Sequence, residues 1–122
     1  MMDFSNRKNG VENYTTAQDL TVLLRKLYYF QAVNPQVSQK CLELMMRQKI
    51  NDRIPAALPS DIVVAHKTGL ENGVCHDSGI VFTSGGNYLI TVLTKHKNKT
   101  AQPAKKFISR LASLTYSYMT ES

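Results

Sequence analysis

The sequence predicts an α+β fold: a helical hairpin, then a three-stranded antiparallel meander, then a C-terminal helix packed on the sheet. Three observations predict it. Apolar residues recur at helical spacing near both ends of the chain, apolar runs of strand length fill residues 61–95, and turn residues separate these runs. The 122 residues, of which 43% are apolar and 20% charged, suit one globular domain spanning 1–122.

The first helix of the pair predicted within residues 13–50 has a recognisable start. Thr16 lies three residues before Asp19, which is close to a capping box. The apolar stripe that follows at helical spacing consists of Leu20, Leu23, Leu24 and Leu27. The residues expected to lie largely off this stripe are Thr21, Arg25 and Lys26.

The second helix has two possible starts. Asn34 can cap it with Pro35 at the first helical position, or the helix can begin later at Ser38. Its apolar face is predicted to consist of Val37, Cys41, Leu44 and Met45. Because only a short turn separates the two helices, they are predicted to form a hairpin.

Three strands are predicted over residues 61–69, 74–83 and 87–95. Asn72-Gly73 suits the tight turn between the first two strands, and the Ser-Gly-Gly-Asn stretch at 84–87 does the same for the next pair. The third strand, YLITVLT, is apolar on both faces. It is therefore expected to be central in the sheet and covered on both sides.

The C-terminal helix is predicted over residues 101–119. Thr100 is the expected N-cap, and Pro103 fits the first turn. The apolar stripe predicted to face the sheet consists of Phe107, Leu111, Leu114 and Tyr118.

The net charge of +6, from 15 Lys/Arg against 9 Asp/Glu, raises the question of nucleic-acid binding. The densest basic run, residues 95–106, has no interleaved aromatic residues, and no helix-turn-helix, zinc-finger or ribonucleoprotein signature accompanies it. We interpret it as a solvated surface, so nucleic acid is the least favoured partner.

Metal and membrane sites are not predicted. Cys41 and Cys75 have no metal-ligand spacing. Neighbours in Cys75-His76-Asp77 point to opposite strand faces, so they cannot all reach one ion, and His66 is expected to be a packed side chain facing away from Lys67. No apolar run approaches the ~20 residues of a membrane span. The first ten residues lack the apolar segment of a signal peptide.

Lys67, Thr68 and Gly69 lie at the end of the first predicted strand, after the segment RIPAALP and before HDSGIV. In this setting the chain resembles the C-terminal part of a class A β-lactamase-like or penicillin-binding-protein-like serine hydrolase. The resemblance covers nearly the whole chain, from the helix ENYTTAQDLTVLLRKLY to the final helix. It implies a partial β-lactamase-like fold without a cofactor.

The resemblance assigns a substrate-binding role to four residues. In the family, the lysine and the threonine of the motif bind the substrate carboxylate. These two residues correspond here to Lys67 and Thr68. Gly69 leaves the strand edge bare for substrate. The N–H of Leu70 corresponds to a donor of the oxyanion hole, which stabilises the tetrahedral intermediate of acyl transfer.

Other family marks are missing, so no catalytic residue is assigned in this chain. The family nucleophile, the serine of Ser-x-x-Lys, lies far upstream of Lys-Thr-Gly, whereas only 66 residues precede Lys67 here. The string Ser5 to Lys8 lies in a polar segment, and we interpret it as a chance match. We interpret Glu12 as a surface or capping carboxylate. The motif Ser-Asp-Asn does not occur in the sequence. We expect a truncated segment that is inactive alone.

The resemblance also implies a substrate, a location and a partner for the sheet edge. The full protein would act on a β-lactam or a D-Ala-D-Ala type peptide, in the periplasm or outside the cell. In the family the third strand pairs with an N-terminal strand that is missing here. The exposed sheet edge is therefore expected to pair with that missing segment or with a second copy. The alternative is a non-catalytic binding or interaction module on the same fold.

Overall fold

The computed structural model describes residues 14–121, which form three helices around one antiparallel sheet. The elements in chain order are α1 (Ala17–Tyr28), α2 (Pro35–Met46), a 3-10 helix (Ile54–Ala57), β1 (Val63–Glu71), β2 (Val74–Phe82), β3 (Tyr88–Lys95) and α3 (Gln102–Thr120). This order confirms the predicted α+β class, with the helical pair first, the meander second and the C-terminal helix last.

Side-chain caps begin the first two helices. Thr16 Oγ1 accepts the N–H of Asp19 at 3.0 Å, and Asn34 Oδ1 accepts the N–H of Val37 at 2.8 Å. With Pro35 in the first turn, α2 begins at the earlier of its two predicted starts. The C-terminal helix is present with Pro103 in its first turn, but the predicted N-cap was wrong: the cap of α3 is Ala101, which makes no side-chain cap bond, and not Thr100.

The sheet has the order β1-β2-β3, so β1 and β3 are its two edges among the described residues. Glu71 pairs with Val74 around the predicted Asn72-Gly73 turn, where Gly73 adopts a φ of 81° that suits glycine. This pairing extends β1 two residues past its predicted end at residue 69. The second hairpin pairs Val81 with Tyr88.

Helices cover both faces of the sheet. On one face α3 and the 3-10 helix enclose a core of Ile54, Val64, Cys75, Val81, Tyr88, Ala104, Ile108 and Ala112. On the other face α1 and α2 enclose Leu24, Leu27, Leu42, Ala65 and Ile80. Side chains of β3 reach both cores, as its two-faced apolar pattern predicted. However, β3 lies at the edge of the described sheet and not at its centre.

The buried helix stripes differ from the predicted ones. In α1, Leu24 and Leu27 are buried as expected, but Leu23 is 48% exposed, and Thr21 contacts the sheet through a hydrogen bond to Thr91. In α2 the buried positions are Ser38 and Leu42, whereas the predicted Val37 and Leu44 are exposed. The Ser38 hydroxyl donates to the Ala32 oxygen and accepts the Ala32 N–H, so this polar side chain is satisfied where it is buried.

In α3 the prediction chose the wrong side of the helix. Ala104, Ile108 and Ala112 face the sheet, and the larger residues of the predicted stripe are mostly exposed: Phe107 at 53%, Leu114 at 61% and Tyr118 at 79%. The two alanines let the helix backbone approach the sheet closely, so the smaller apolar residues form the contact.

Candidate functional site

The four predicted substrate-binding residues lie together in the second half of β1, at an edge of the described sheet. Lys67 is exposed, and its ammonium group donates to the backbone oxygen of Thr68 at 2.5 Å. Thr68 is 7% exposed, and Leu70 is 53% exposed. The Lys67 charge is therefore held against the strand edge, where it is accessible from solvent.

Gly69 is not required by the packing of the described residues. A Cβ built there would meet the His76 side chain at 3.5 Å, an ordinary van der Waals contact. Gly79 differs, because a Cβ there would lie 2.7 Å from His66 Cβ and 2.8 Å from the Ala65 oxygen. The fold itself thus explains the glycine of β2 but not the glycine of the Lys-Thr-Gly motif.

A row of polar residues crosses the sheet from Lys67 toward α1. Lys67 pairs with Ser78, and Ser78 pairs with Thr91 on β3. The Ser78 and Thr91 hydroxyls are 2.7 Å apart, and Thr21 Oγ1 donates to Thr91 Oγ1 at 3.0 Å. Sequence analysis missed this row, although Thr91 interrupts the apolar run of β3 and Thr21 recurs at helical spacing with Leu24.

A buried polar network lies on the opposite face of β1, directly before Lys67. His66 and Asp77 are both fully buried, and His66 Nδ1 is 2.9 Å from Asp77 Oδ1. His66 Nε2 is 2.9 Å from Asn51 Oδ1. Asp77 also accepts the backbone N–H groups of Ser78 and Ile54, each at 3.0 Å. The network joins β1, β2 and the loop before the 3-10 helix. His66 is thus packed on the face of β1 away from Lys67, as expected.

Arg53 is buried beside this network, with 1% of its surface exposed. Its Nε donates to the Cys75 sulfur at 3.2 Å, and its Nη1 lies 3.3 Å from Asp52 Oδ1. Asp52 Oδ2 lies 2.8 Å from Lys105 Nζ on α3. Burial alone raises the pKa of Asp52, but the Lys105 hydrogen bond and the two nearby cations outweigh it, so the pKa is lowered. Sequence analysis missed Arg53, because nothing local marks an arginine for burial.

Cys75, His76 and Asp77 separate as the strand alternation predicted. Cys75 and Asp77 contact Arg53 and His66 respectively, while His76 accepts the backbone N–H of Thr94 on its Nδ1 at 3.0 Å. Burial lowers the pKa of His76, which favours the neutral ring that this bond requires. Within residues 14–121, no three His, Cys, Asp or Glu residues come together as a metal site.

Within residues 14–121 no further strand pairs with the outer side of Lys67–Leu70, and these residues line neither of two surface depressions. One depression lies between the end of α1 and the start of β3, beside Tyr28, Asn87 and Tyr88. The other is lined by Asp52, Lys105, Lys106 and Arg110, with small residues between them. Ser5, Lys8 and Glu12 lie outside the described residues. No helix in residues 14–121 is long and apolar enough to cross a membrane.

Comparison with known proteins places this arrangement in a family. The sequence profile of the β-lactamase enzyme family matches residues 1–119. The chain therefore belongs to the β-lactamase enzyme family, and its three-stranded sheet with helices on both faces is part of the β-lactamase fold.

Individual relatives agree with this placement. The chain is 28% identical over 119 residues to β-lactamase VEB-1 of Pseudomonas aeruginosa, an alignment that covers 88% of this chain and 39% of the relative. The structure of PBP-A matches with a TM-score of 0.78 and 26% identity over 85% of this chain and 39% of PBP-A. The fold of the TLA-1 extended-spectrum β-lactamase matches with a TM-score of 0.80 and 24% identity, over 90% of this chain and 43% of TLA-1. The chain thus spans about two fifths of the length of these relatives.

Proposed function

We propose that this chain supplies the substrate-carboxylate and oxyanion wall of a serine acyl-transfer site, formed by Lys67, Thr68, Gly69 and Leu70. The observation that carries the proposal is the position of Lys67-Thr68-Gly69 on a strand at the edge of the described sheet, in a β-lactamase fold. Three features of the site support it: the Lys67 ammonium lies against that edge, packing does not explain Gly69, and a buried network fixes the strand directly before Lys67.

Each residue of the wall has a defined task. Lys67 provides the positive charge for a substrate carboxylate, and Thr68 provides a hydroxyl donor. Substrate binding at the edge displaces the intramolecular bond from Lys67 Nζ to the Thr68 oxygen and replaces a neutral acceptor by a charged one, which forms the stronger bond. Gly69 leaves room for a substrate backbone, and the Leu70 N–H stabilises the negative oxygen that develops during acyl transfer.

The nucleophile of this reaction lies outside the wall. Ser-x-x-Lys occurs in the sequence at Ser5 to Lys8, in a polar segment, and we assign it no catalytic part. A catalytic lysine needs a desolvated site that lowers its pKa. We therefore expect the 122 residues by themselves to bind a β-lactam weakly and to form no acyl-enzyme. A structure of a PBP-A variant has been described as an acyl-enzyme complex with penicillin G.

The test is an NMR titration of the chain with benzylpenicillin at millimolar concentration. We expect the amide signals of Lys67–Leu70 to shift and the intact mass to stay unchanged. Lys67→Ala removes a charge-assisted hydrogen bond worth about 1.5–3 kcal/mol, so binding should weaken at least about tenfold. Lys95→Ala, which removes another exposed strand lysine, is the matched control and should bind as the unsubstituted chain does.

Two results of this titration would contradict the proposal. The first is binding that Lys67→Ala leaves unchanged or that shifts signals away from β1. The second is a covalent penicilloyl adduct, most tellingly on Ser5, which would show that this chain carries its own nucleophile.

The open edge of β3 supports a second, compatible role in association. Most of β3 is only half-buried, and its outer side has no strand partner among the described residues. An unpaired edge of this kind presents backbone donors and acceptors to another chain. We propose that it pairs with an N-terminal strand of the whole protein. In the isolated chain it would pair with a second copy, through an interface of at least ~1,000 Å².

Sedimentation tests this association. We expect a dimer that Leu93→Lys, a charge introduced on β3, converts to a folded monomer. Leu114→Lys, a charge introduced on the exposed face of α3, is the control and should leave the dimer intact. A monomeric unsubstituted chain would refute the pairing. If Leu114→Lys dissociates the dimer and Leu93→Lys does not, the interface lies on α3 and the pairing through β3 is also refuted.

Membership of the β-lactamase enzyme family supports a substrate class and a location for the whole protein. We propose that the whole protein acts on a β-lactam or a D-Ala-D-Ala type peptide, outside the cytoplasm where such peptides occur. A non-catalytic binding module remains the alternative, and it predicts the same absence of acylation with no binding of penicillin at β1.

A further inference from the structure

His66 has an oxygen atom within hydrogen-bond distance of each ring nitrogen. Nδ1 is 2.9 Å from Asp77 Oδ1, and Nε2 is 2.9 Å from Asn51 Oδ1. A neutral imidazole has one N–H donor and one bare nitrogen, which cannot bond to an acceptor oxygen. When Asp77 is an ionised acceptor, both contacts are satisfied only if both ring nitrogens carry protons.

The orientation of the Asn51 amide follows from its second contact. Asn51 Nδ2 donates to the backbone oxygen of Gln48 at 3.1 Å. If the amide were reversed, its oxygen would face the Gln48 oxygen, and two acceptors would oppose each other. The surrounding hydrogen bonds therefore place the amide oxygen, and not the amide nitrogen, against His66 Nε2.

The other partner, Asp77, makes hydrogen bonds through both of its carboxylate oxygens. Its Oδ1 accepts from His66 Nδ1 and from the Ser78 N–H, and its Oδ2 accepts from the Ile54 N–H. The two backbone N–H donors stabilise the ionised carboxylate over the neutral acid, because hydrogen bonds to a charged acceptor are the stronger ones. Because Asp77 is fully buried, its negative charge needs a buried positive partner, and His66 is in direct contact with it.

Within the described part of the chain, the other charged side chains beside His66 are engaged elsewhere. Arg53 is directed to the Cys75 sulfur and to Asp52, and Asp52 is paired with Lys105 of α3. Lys67 lies on the opposite face of β1, exposed to solvent. Asp77 is thus the carboxylate that contacts His66, and the two form a buried ion pair.

We propose that His66 is a doubly protonated positioning residue, an imidazolium that ties the strand directly before Lys67 to Asp77 of β2 and to Asn51 of the preceding loop. The proton on Nε2 closes the link to Asn51, so it fixes the loop against the start of the Lys67–Leu70 segment. The view of that segment as a substrate wall rests on the proposed function, whereas the charge state of His66 does not.

Nitrogen-15 NMR of the histidine side chains at neutral pH tests the proposal. We expect both ring nitrogens of His66 to show protonated-type signals. Asn51→Ala removes the exposed acceptor at Nε2 and leaves Asp77 in place. Because a hydrogen bond to a charged group contributes about 1.5–3 kcal/mol, the ratio of charged to neutral His66 should fall at least about tenfold. Asn51→Asp restores an acceptor and should restore the charged form.

The amide signals of Lys67–Leu70 supply a second readout. They should move in Asn51→Ala and return in Asn51→Asp, following the Nε2 proton. A bare Nε2 in the unsubstituted chain at neutral pH would overturn the proposal, as would an Asn51→Ala variant with an unchanged charge ratio. If the charge state holds but penicillin fails to bind at β1, the proposed function fails and this inference stands.

Discussion

Gly79→Ala is expected to destabilise the chain by about 3 kcal/mol, at the upper end of the usual cost of overpacking a close contact. The added methyl carbon would lie 2.7 Å from His66 Cβ and 2.8 Å from the Ala65 oxygen. Neither atom is the flexible end of a side chain, so β1 must move away from β2. Urea unfolding measures the effect.

Gly69→Ala is the matched control for this prediction. Its methyl group would meet His76 at 3.5 Å, and its backbone does not require glycine. The substitution restricts the unfolded chain, so stability should stay the same or rise by about 0.5 kcal/mol. Equal effects of the two substitutions would contradict the close packing of His66 against β2.

Asp77→Asn is expected to cost about 3–5 kcal/mol, the range for removing one partner of a buried charge pair. The amide oxygen can still accept from His66 or Ser78, but the amide nitrogen then faces the Ile54 N–H, so two donors oppose each other. The His66 charge also loses its counter-ion. Thermal and urea unfolding both measure this loss.

Asp52→Asn provides the comparison at an exposed ion pair. Asp52 is 46% exposed and lies 2.8 Å from Lys105 Nζ. Such a pair is worth about 1 kcal/mol or less, because water and salt screen it. If Asp77→Asn costs no more than Asp52→Asn, the buried network does not hold β1 in place.

Local signals in the sequence predicted the elements and their order. The cap at Thr16 and the Asn72-Gly73 turn act within a few residues, and the structure shows both as predicted. Of the two starts predicted for α2, the structure shows the one capped by Asn34. The class of fold and the resemblance to β-lactamases followed from the order of these elements and from the residues around Lys67.

The buried helix faces were harder to predict, because they depend on neighbours in space. Two faces of α3 carry apolar residues at helical spacing, and the spacing alone favoured the face with the larger side chains. The sheet instead contacts Ala104, Ile108 and Ala112, since small side chains allow close approach. The exposed face of Phe107, Leu114 and Tyr118 was therefore mistaken for the core.

The polar network was hidden from sequence reasoning for a related reason. Asp77 and Ile54 are 23 positions apart in the sequence, and Arg53 and Cys75 are 22 apart. Residues of a local motif lie much closer together, so no local pattern marks these pairs. The alternation of β2 did place Cys75 and Asp77 on one face and His76 on the other. It could not say that an arginine and a histidine would be buried opposite them.

The most direct test of the central claim, that Lys67–Leu70 form a substrate-binding wall, is a crystal structure of this chain with benzylpenicillin. We expect an intact β-lactam along the edge of β1. Its carboxylate should lie within hydrogen-bond distance of Lys67 Nζ, which releases the Thr68 oxygen. Penicillin bound instead at the basic surface of Lys105, Lys106 and Arg110, with β1 empty, would contradict it.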